Sequence, residues 1–223
     1  MKIAIDGPAG SGKSSVSKEV AKKLGFTYID TGAMYRAVGL AVVNYGFNTK
    51  DKEKVLSILD DIDITLENSN DGQKIFLNGK DVSDEIRLPI ISVAASNVAV
   101  IPEVRLKLVE LQRELAKTCS VVMDGRDIGT YVLPDAELKI FLTASVEERA
   151  RRRYKELCEK GVECDYESVK ADMEYRDKND SGREMAPLKA ADDGIIVDTT
   201  NLTIDETIER IVDEARKKGC GIR

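Results

Sequence analysis

The chain has 223 residues, enough to bury a sizeable core in one generous domain or one domain with an insert, and 42% hydrophobic with 33% charged residues exclude a disordered or fibrous protein. With 34 Lys and Arg against 40 Asp and Glu the formal charge is −6, so the global field repels polyanions and a phosphate ligand must be held by a local cluster of cations. Seven tyrosines, four phenylalanines and no tryptophan disfavour a nucleic-acid partner, and without histidine the chemistry must run on carboxylates, cations, hydroxyls or a bound metal.

Residues 2–6 (KIAID) form a short apolar run, too short for a signal peptide or a membrane span. No membrane partner is expected, and the location expected is the cytoplasm. Cys119, Cys158, Cys164 and Cys220 lack CxxC spacing and read as reduced, free thiols rather than a metal site. A Gly-rich stretch follows, and Val16, Val20 and Leu24 then recur at four-residue spacing through 13–24, giving strand, loop, helix. Residues 26–30 read as a second strand and 33–45 as a second helix. Between 61 and 84 the pattern alternates and carries the turn pairs Asp71-Gly72 and Asn78-Gly79, the signature of a small antiparallel insert. Further strands are predicted at 120–124, 138–142 and 194–198, and helices at 103–118, 146–159, 167–177 (ending near Gly182) and 204–218. Near-continuous apolar strands separated by helices predict a parallel sheet covered on both faces.

Gly7-Pro8-Ala9-Gly10-Ser11-Gly12-Lys13-Ser14 fits GxxxxGK[ST] between a strand and a helix. Backbone N–H groups of such a loop turn inward around phosphate, Lys13 reaches the transferred phosphoryl and Ser14 can hold Mg²⁺. A nucleoside triphosphate site follows, but not what is done with it. Thr31 and Arg36, at the end of the second strand and the start of its helix, stand beside the mouth of the cradle, where Arg36 either grips an anionic acceptor or is a solvated helix residue. Asp124, closing a core strand, suits a carboxylate that supports Mg²⁺, and Arg126 beside it suits charge neutralisation; a salt-bridged loop is the alternative. Arg149, Arg152 and Arg153 share a helix face, either solvated or part of a lid that also carries Arg151. Arg176, Asp180 and Arg183 form another such face, suited to a phosphorylated sugar or to an internal salt-bridge ladder.

GPAGSGKSS, DTGAMYR, DGRDIGT and RDKNDSGR, in this order, resemble the bacterial type of cytidylate kinase over residues 2–216, insert included. The cradle is widely shared, whereas TGAMYR, DGRDIGT and the insert together are specific. The resemblance implies an α/β P-loop fold of three layers, with a five-stranded parallel sheet in the order 2-3-1-4-5, in one domain spanning 1–223. A monophosphate-binding region at 31–118 would contain the insert, and a lid would span 149–183. The activity implied is transfer of the γ-phosphoryl of ATP, with Mg²⁺, to CMP or dCMP. Gly7 to Ser15, Ser15 included, would hold ATP; Arg36, Arg126 and Arg183 the CMP phosphate; Arg176 and Asp180 the sugar; Ser96, Arg105 and Asp127 the base. The catalytic set expected is Lys13, Asp124, Arg126, Arg149, Arg151 and Arg153, with Lys13 exposed in the empty site and the lid held open by mutual repulsion of its arginines. A monomer is expected. The rival activities are a kinase for UMP, AMP or a shikimate-like acid, and a nucleotide-switched binding protein, although no guanine-reading NKxD occurs.

Overall fold

The computed structural model describes residues 1–69 and 72–220. Strand β1 (Lys2–Asp6) leads through the Gly-rich loop into α1 (Lys13–Leu24), and β2 (Thr27–Asp30) runs directly into α2 (Thr31–Asn44). After α3 (Lys52–Ser57) come β3 (Ile64–Ser69), β4 (Gly72–Leu77) and β5 (Lys80–Asp81), followed by α4 (Pro89–Val98) and α5 (Pro102–Leu115). The chain continues through β6 (Val121–Gly125), β7 (Leu138–Thr143), α6 (Val146–Glu159), α7 (Tyr166–Ser181), β8 (Ile195–Asp198) and α8 (Ile204–Lys217).

Strands β2, β6, β1, β7 and β8 pair in parallel in that spatial order. Counting only these five along the chain, the order is 2-3-1-4-5, as the sequence led us to expect. Their apolar runs are explained by burial on both faces: Ile3 and Ile5 pack with Val16 and Val20 of α1 and Ile208, Ile211 and Val212 of α8, whereas Ala4 packs with Val109 of α5, Met123 and Val132 on the other side. At its N-terminus α8 is fixed by a capping box, in which Thr203 Oγ1 accepts from Glu206 N and Glu206 Oε2 from Thr203 N.

The alternating segment forms the antiparallel sheet β3-β4-β5. Ile64, Ile75 and Leu77 point to one face and join a separate core with α2, α3 and α4. Asn78 and Gly79 both have positive φ (51° and 79°), the left-handed pair that a two-residue hairpin turn requires. Of the other turn pair, Asp71 lies outside the described residues. The insert also closes the edge of the main sheet: Gln73 Oε1 accepts from Asp30 N at 3.0 Å and Gln73 Nε2 donates to the Tyr28 carbonyl at 2.7 Å, satisfying edge-strand groups of β2.

Several boundaries differ from the sequence reading. The helix expected from 33 starts at Thr31, because Asp30 caps it by accepting from Ala33 N at 2.9 Å. Helices α3 and α4 were not expected. α4 opens with Pro89 at its first position and packs against α2 so closely that a Cβ on Gly39 would stand 2.9 Å from Ala95 N. Among the described residues no single helix is long and apolar enough to cross a membrane, and all four cysteines are free.

Candidate functional site

Three of the five parallel strands end in aspartate, Asp6, Asp30 and Asp198, and β6 carries Asp124 one residue before its end. The carboxyl edge of such a sheet is where ligands bind, and a cleft of about 730 Å³ opens there, between the Gly-rich loop, α2, α4, α6 and α7. Backbone geometry explains the loop's glycines. Gly7 has φ +152°, and a Cβ there would fall 2.1 Å from the Leu142 carbonyl oxygen; Gly12, the N-cap of α1, is left-handed at φ +86°. Ala9, Gly10, Gly12, Lys13, Ser14 and Ser15 line the cleft, while Gly7, Pro8 and Ser11 of the same loop are buried away from it.

Lys13, expected to be exposed, is only 6% exposed and donates to the Pro8 carbonyl at 3.0 Å. Burial pulls its ammonium down to about 7, assisted by Arg126 and Arg176 and opposed by Asp124. Asp124 is almost wholly buried, accepting from Ser14 Oγ at 2.8 Å and from Tyr28 Oη at 2.9 Å, and its carbonyl accepts from Thr31 Oγ1 at 2.7 Å. Burial and the neighbouring Asp30 push its carboxyl up to about 6. Burial and Asp124 together hold the Tyr28 phenol well above its ordinary range, so Tyr28 remains a donor. Asp6, at the end of β1, accepts from Ile128 N and Gly129 N, and burial still pushes it up to about 7.

Arg36, Arg126, Arg176, Asp180 and Arg183 line the same cleft as Lys13, with Arg126 and Arg176 near enough to act on its charge, together with Thr31 at the foot of α2. Arg36 pairs with Asp30 at 2.7 Å and Arg87 joins the same oxygen at 3.3 Å. Asp180 takes Arg126 Nε at 2.7 Å and is also paired with Arg183; burial alone would raise its pKa, but the two arginines overcome it and hold it below the carboxylate range. Burial and Arg126 lower Arg176 to about 10, and among the described residues it has no carboxylate at ion-pair distance. That leaves a cation ready for an anion. Ser96 and Asp127 also line the cleft. Arg105, expected to face the base directly, instead lies behind Asp127, ion-paired with it and 1% exposed.

The lid arginines need correction. Arg149 is buried under the loop, donating to the carbonyls of Ala9 and Ala144 at 3.0 Å each and pairing with Asp177 at 2.7 Å, so it supports the cradle from beneath. Arg151 is 68% exposed, bonded to Glu148, and does not reach the cleft. Arg153 does, pairing with Glu156, and so does Arg152, which is fixed by Glu148 and by the Thr199 carbonyl at 2.6 Å. Each arginine has a carboxylate partner, so the repulsion expected to hold the lid open is already neutralised. Sequence reasoning missed Tyr28, Asp30, Arg87 and Asp6; a Tyr-x-Asp at a strand end was the one local signal.

The Gly-rich cradle after the central strand, facing a cation-rich second pocket on the same sheet edge, defines a P-loop nucleotide-binding protein with room for a second anionic ligand. The fold resembles an uncharacterised protein from Eubacterium ventriosum, with a TM-score of 0.54 at 14% identity over 97% of this chain and 98% of that one. The family model for cytidylate kinase matches residues 3–217. A cytidylate kinase from Caldicellulosiruptor saccharolyticus is 56% identical over 211 residues, 95% of this chain and 93% of the relative. One from Caldanaerobacter subterraneus subsp. tengcongensis is 55% identical over 221 residues, 99% and 97% of the two chains. The chain belongs to the cytidylate kinase family.

Proposed function

We propose that the chain transfers the γ-phosphoryl group of ATP to CMP or dCMP, giving ADP and CDP or dCDP, in the cytoplasm and as a monomer. The observation that carries this reading is the meeting of two sets of groups: the Gly-rich loop with Lys13, and Arg36, Arg126, Arg176 and Arg183 with the Asp127 carboxylate, line one cleft. The loop amides and Lys13 take the donor triphosphate, and Arg36, Arg126 and Arg183 take the acceptor phosphate. Arg176 and Asp180 take the sugar, whose 3′-hydroxyl is common to CMP and dCMP.

An acceptor phosphate with its second pKa near ~6 is already dianionic at neutral pH, so no general base is required. One of its oxygens forms a bond to Pγ while the bond from Pγ to the β-bridging oxygen breaks, and the electron pair leaves with ADP. Catalysis is positioning and charge neutralisation, which a chain without histidine can supply. The hydroxyl of Ser14 and the carboxylate of Asp124, 2.8 Å apart, offer hard oxygen donors suited to Mg²⁺. When bound, Mg²⁺ neutralises charge on the β- and γ-phosphates; Tyr28 orients the carboxylate that would hold it.

Base choice falls to Asp127. A carboxylate accepts from the cytosine amino group but meets the lone pair of uracil O4. With ATP and a panel of nucleoside monophosphates, ADP release is expected with CMP and dCMP and to be weak with UMP, AMP and GMP. Asp127→Asn should lower the CMP-to-UMP ratio of kcat/KM at least ~10-fold, the scale of a hydrogen bond to a charged group. Equal loss with both acceptors would remove Asp127 as base reader; full activity with AMP would overturn the acceptor class.

A further inference from the structure

We propose that Asp6 is a positioning residue for the acceptor base: by capping the turn that follows Asp127, it frees the Asp127 side chain to face the cleft. This rests on the reading of Asp127 given above. Asp6 is the last residue of β1, adjoins the donor cradle and is 4% exposed. One carboxylate oxygen accepts from Ile128 N and the other from Gly129 N, each at 2.8 Å. These amides open the wide, π-type helical turn at Ile128–Val132, in which Tyr131 N and Val132 N donate to the Asp127 carbonyl at 2.9 and 3.1 Å.

The first N–H groups of any helical turn lack partners within it, and an aspartate immediately before the turn ordinarily accepts from them. Asp127 occupies that position, with φ −147° and ψ 26°, yet its side chain makes no cap hydrogen bond. The carboxylate that would be expected to fold back onto its own turn is instead paired with Arg105 and lines the cleft. Its capping task is done by a residue 122 positions before Ile128 in the chain. The two carboxylates therefore divide the work: Asp6 satisfies the backbone, and Asp127 is left for Arg105 and the ligand. Without Asp6, two buried amides would need an acceptor, and the nearest in sequence is the Asp127 carboxylate.

Asp6→Asn keeps the shape but offers one acceptor and, in place of the second, an NH₂ that repels an amide. It also removes a buried charge, so the fold is expected to persist. Measured with the full chain, ATP and either CMP or UMP, the CMP-to-UMP ratio of kcat/KM is expected to fall at least ~5-fold, the scale of one lost hydrogen bond, with KM for ATP within ~2-fold. The double variant Asp6→Asn/Asp127→Asn should discriminate no worse than Asp127→Asn alone, because the first change acts through the second. An unchanged ratio in Asp6→Asn, or losses that simply multiply in the double variant, would overturn the proposal. If Asp127→Asn itself leaves the ratio intact, the base assignment fails, and the proposal with it. Should Asp6→Asn not fold, the test moves to amide exchange in the unaltered protein. The proposal requires Ile128 and Gly129 to be protected and their amide signals shifted by a carboxylate acceptor; exchange at the rate of free peptide would overturn it.

Discussion

Lys13 sits among cations that disfavour its charge and under a loop that keeps water away, donating its proton to Pro8. Its ammonium titrates near 7 in the folded chain against 10.5 in water, so between these values the folded protein binds fewer protons than the unfolded one, and the stability contributed by this group rises as pH climbs through that window. A bound triphosphate reverses the local field and restores the ammonium. ATP binding should therefore take up a proton above pH ~7, and affinity should fall as pH rises further. Calorimetry at pH 7.5 in two buffers of different ionisation enthalpy is expected to show this uptake in the unaltered protein and its loss in Lys13→Met. Equal uptake in both would place the titrating group elsewhere. The cradle and Arg36, Arg126, Arg176, Asp180 and Arg183 were legible in the sequence because local motifs carry them. The pairs that hold them were not: Arg105 with Asp127, Arg87 with Asp30 and Tyr28 with Asp124 lie 22, 57 and 96 residues apart, so only the fold reveals them.

Helix α7 ties together the parts of the molecule that build the site. Met173 packs with Ala9 under the Gly-rich loop, so close that a Cβ on Gly10 would meet its methyl at 2.4 Å. Arg176 and Asp180 face the cleft. Tyr175 and Asn179 face α4, where Tyr175 Oη donates to Asn97 Oδ1 at 2.7 Å, Asn179 Nδ2 donates to Ser96 Oγ at 3.3 Å, and Asn97 Nδ2 donates on to Thr49 Oγ1. One helix thus registers the donor loop against the acceptor pocket. Tyr175→Phe removes one such hydrogen bond, about 0.5–1.5 kcal/mol, and should raise KM for CMP by ~2- to 10-fold while hydrogen exchange in α7 quickens. A lowered melting temperature with both KM values unchanged would make the contact purely structural. The sequence showed α7 and its cleft-facing spacing, but its partner α4 stayed hidden. Ile90, Ile91 and Val93 are β-branched and carry no helical stripe by themselves; what settles this segment as a helix is its packing on α2, where Ile91 and Val98 enter the core and Ala94 and Ala95 lie against Gly39.

At the scale of the whole molecule, the net charge and the field at the site have opposite signs. The chain carries −6, yet among the described residues nine cations and six carboxylates line the cleft. Several of these charges are partly buried, so the low-dielectric walls focus their field towards the mouth while the acidic remainder faces solvent. Which of the two governs an approaching nucleotide is set by distance. The screening length falls from roughly 30 Å at 0.01 M salt to about 10 Å at 0.1 M, so salt removes the far field first and then the attraction at the mouth. If the cleft dominates, the association rate of a fluorescent ATP analogue, followed by stopped flow at constant free Mg²⁺, should fall several-fold between ~20 and ~300 mM salt, while the dissociation rate changes less. If the overall −6 dominated, salt would relieve repulsion and the association rate would rise. Arg152→Gln gives an independent check, since that arginine lines the cleft and its removal should flatten the salt dependence. A slope that rises with salt, or one that Arg152→Gln leaves untouched, would show that the cleft does not draw the nucleotide in by its field.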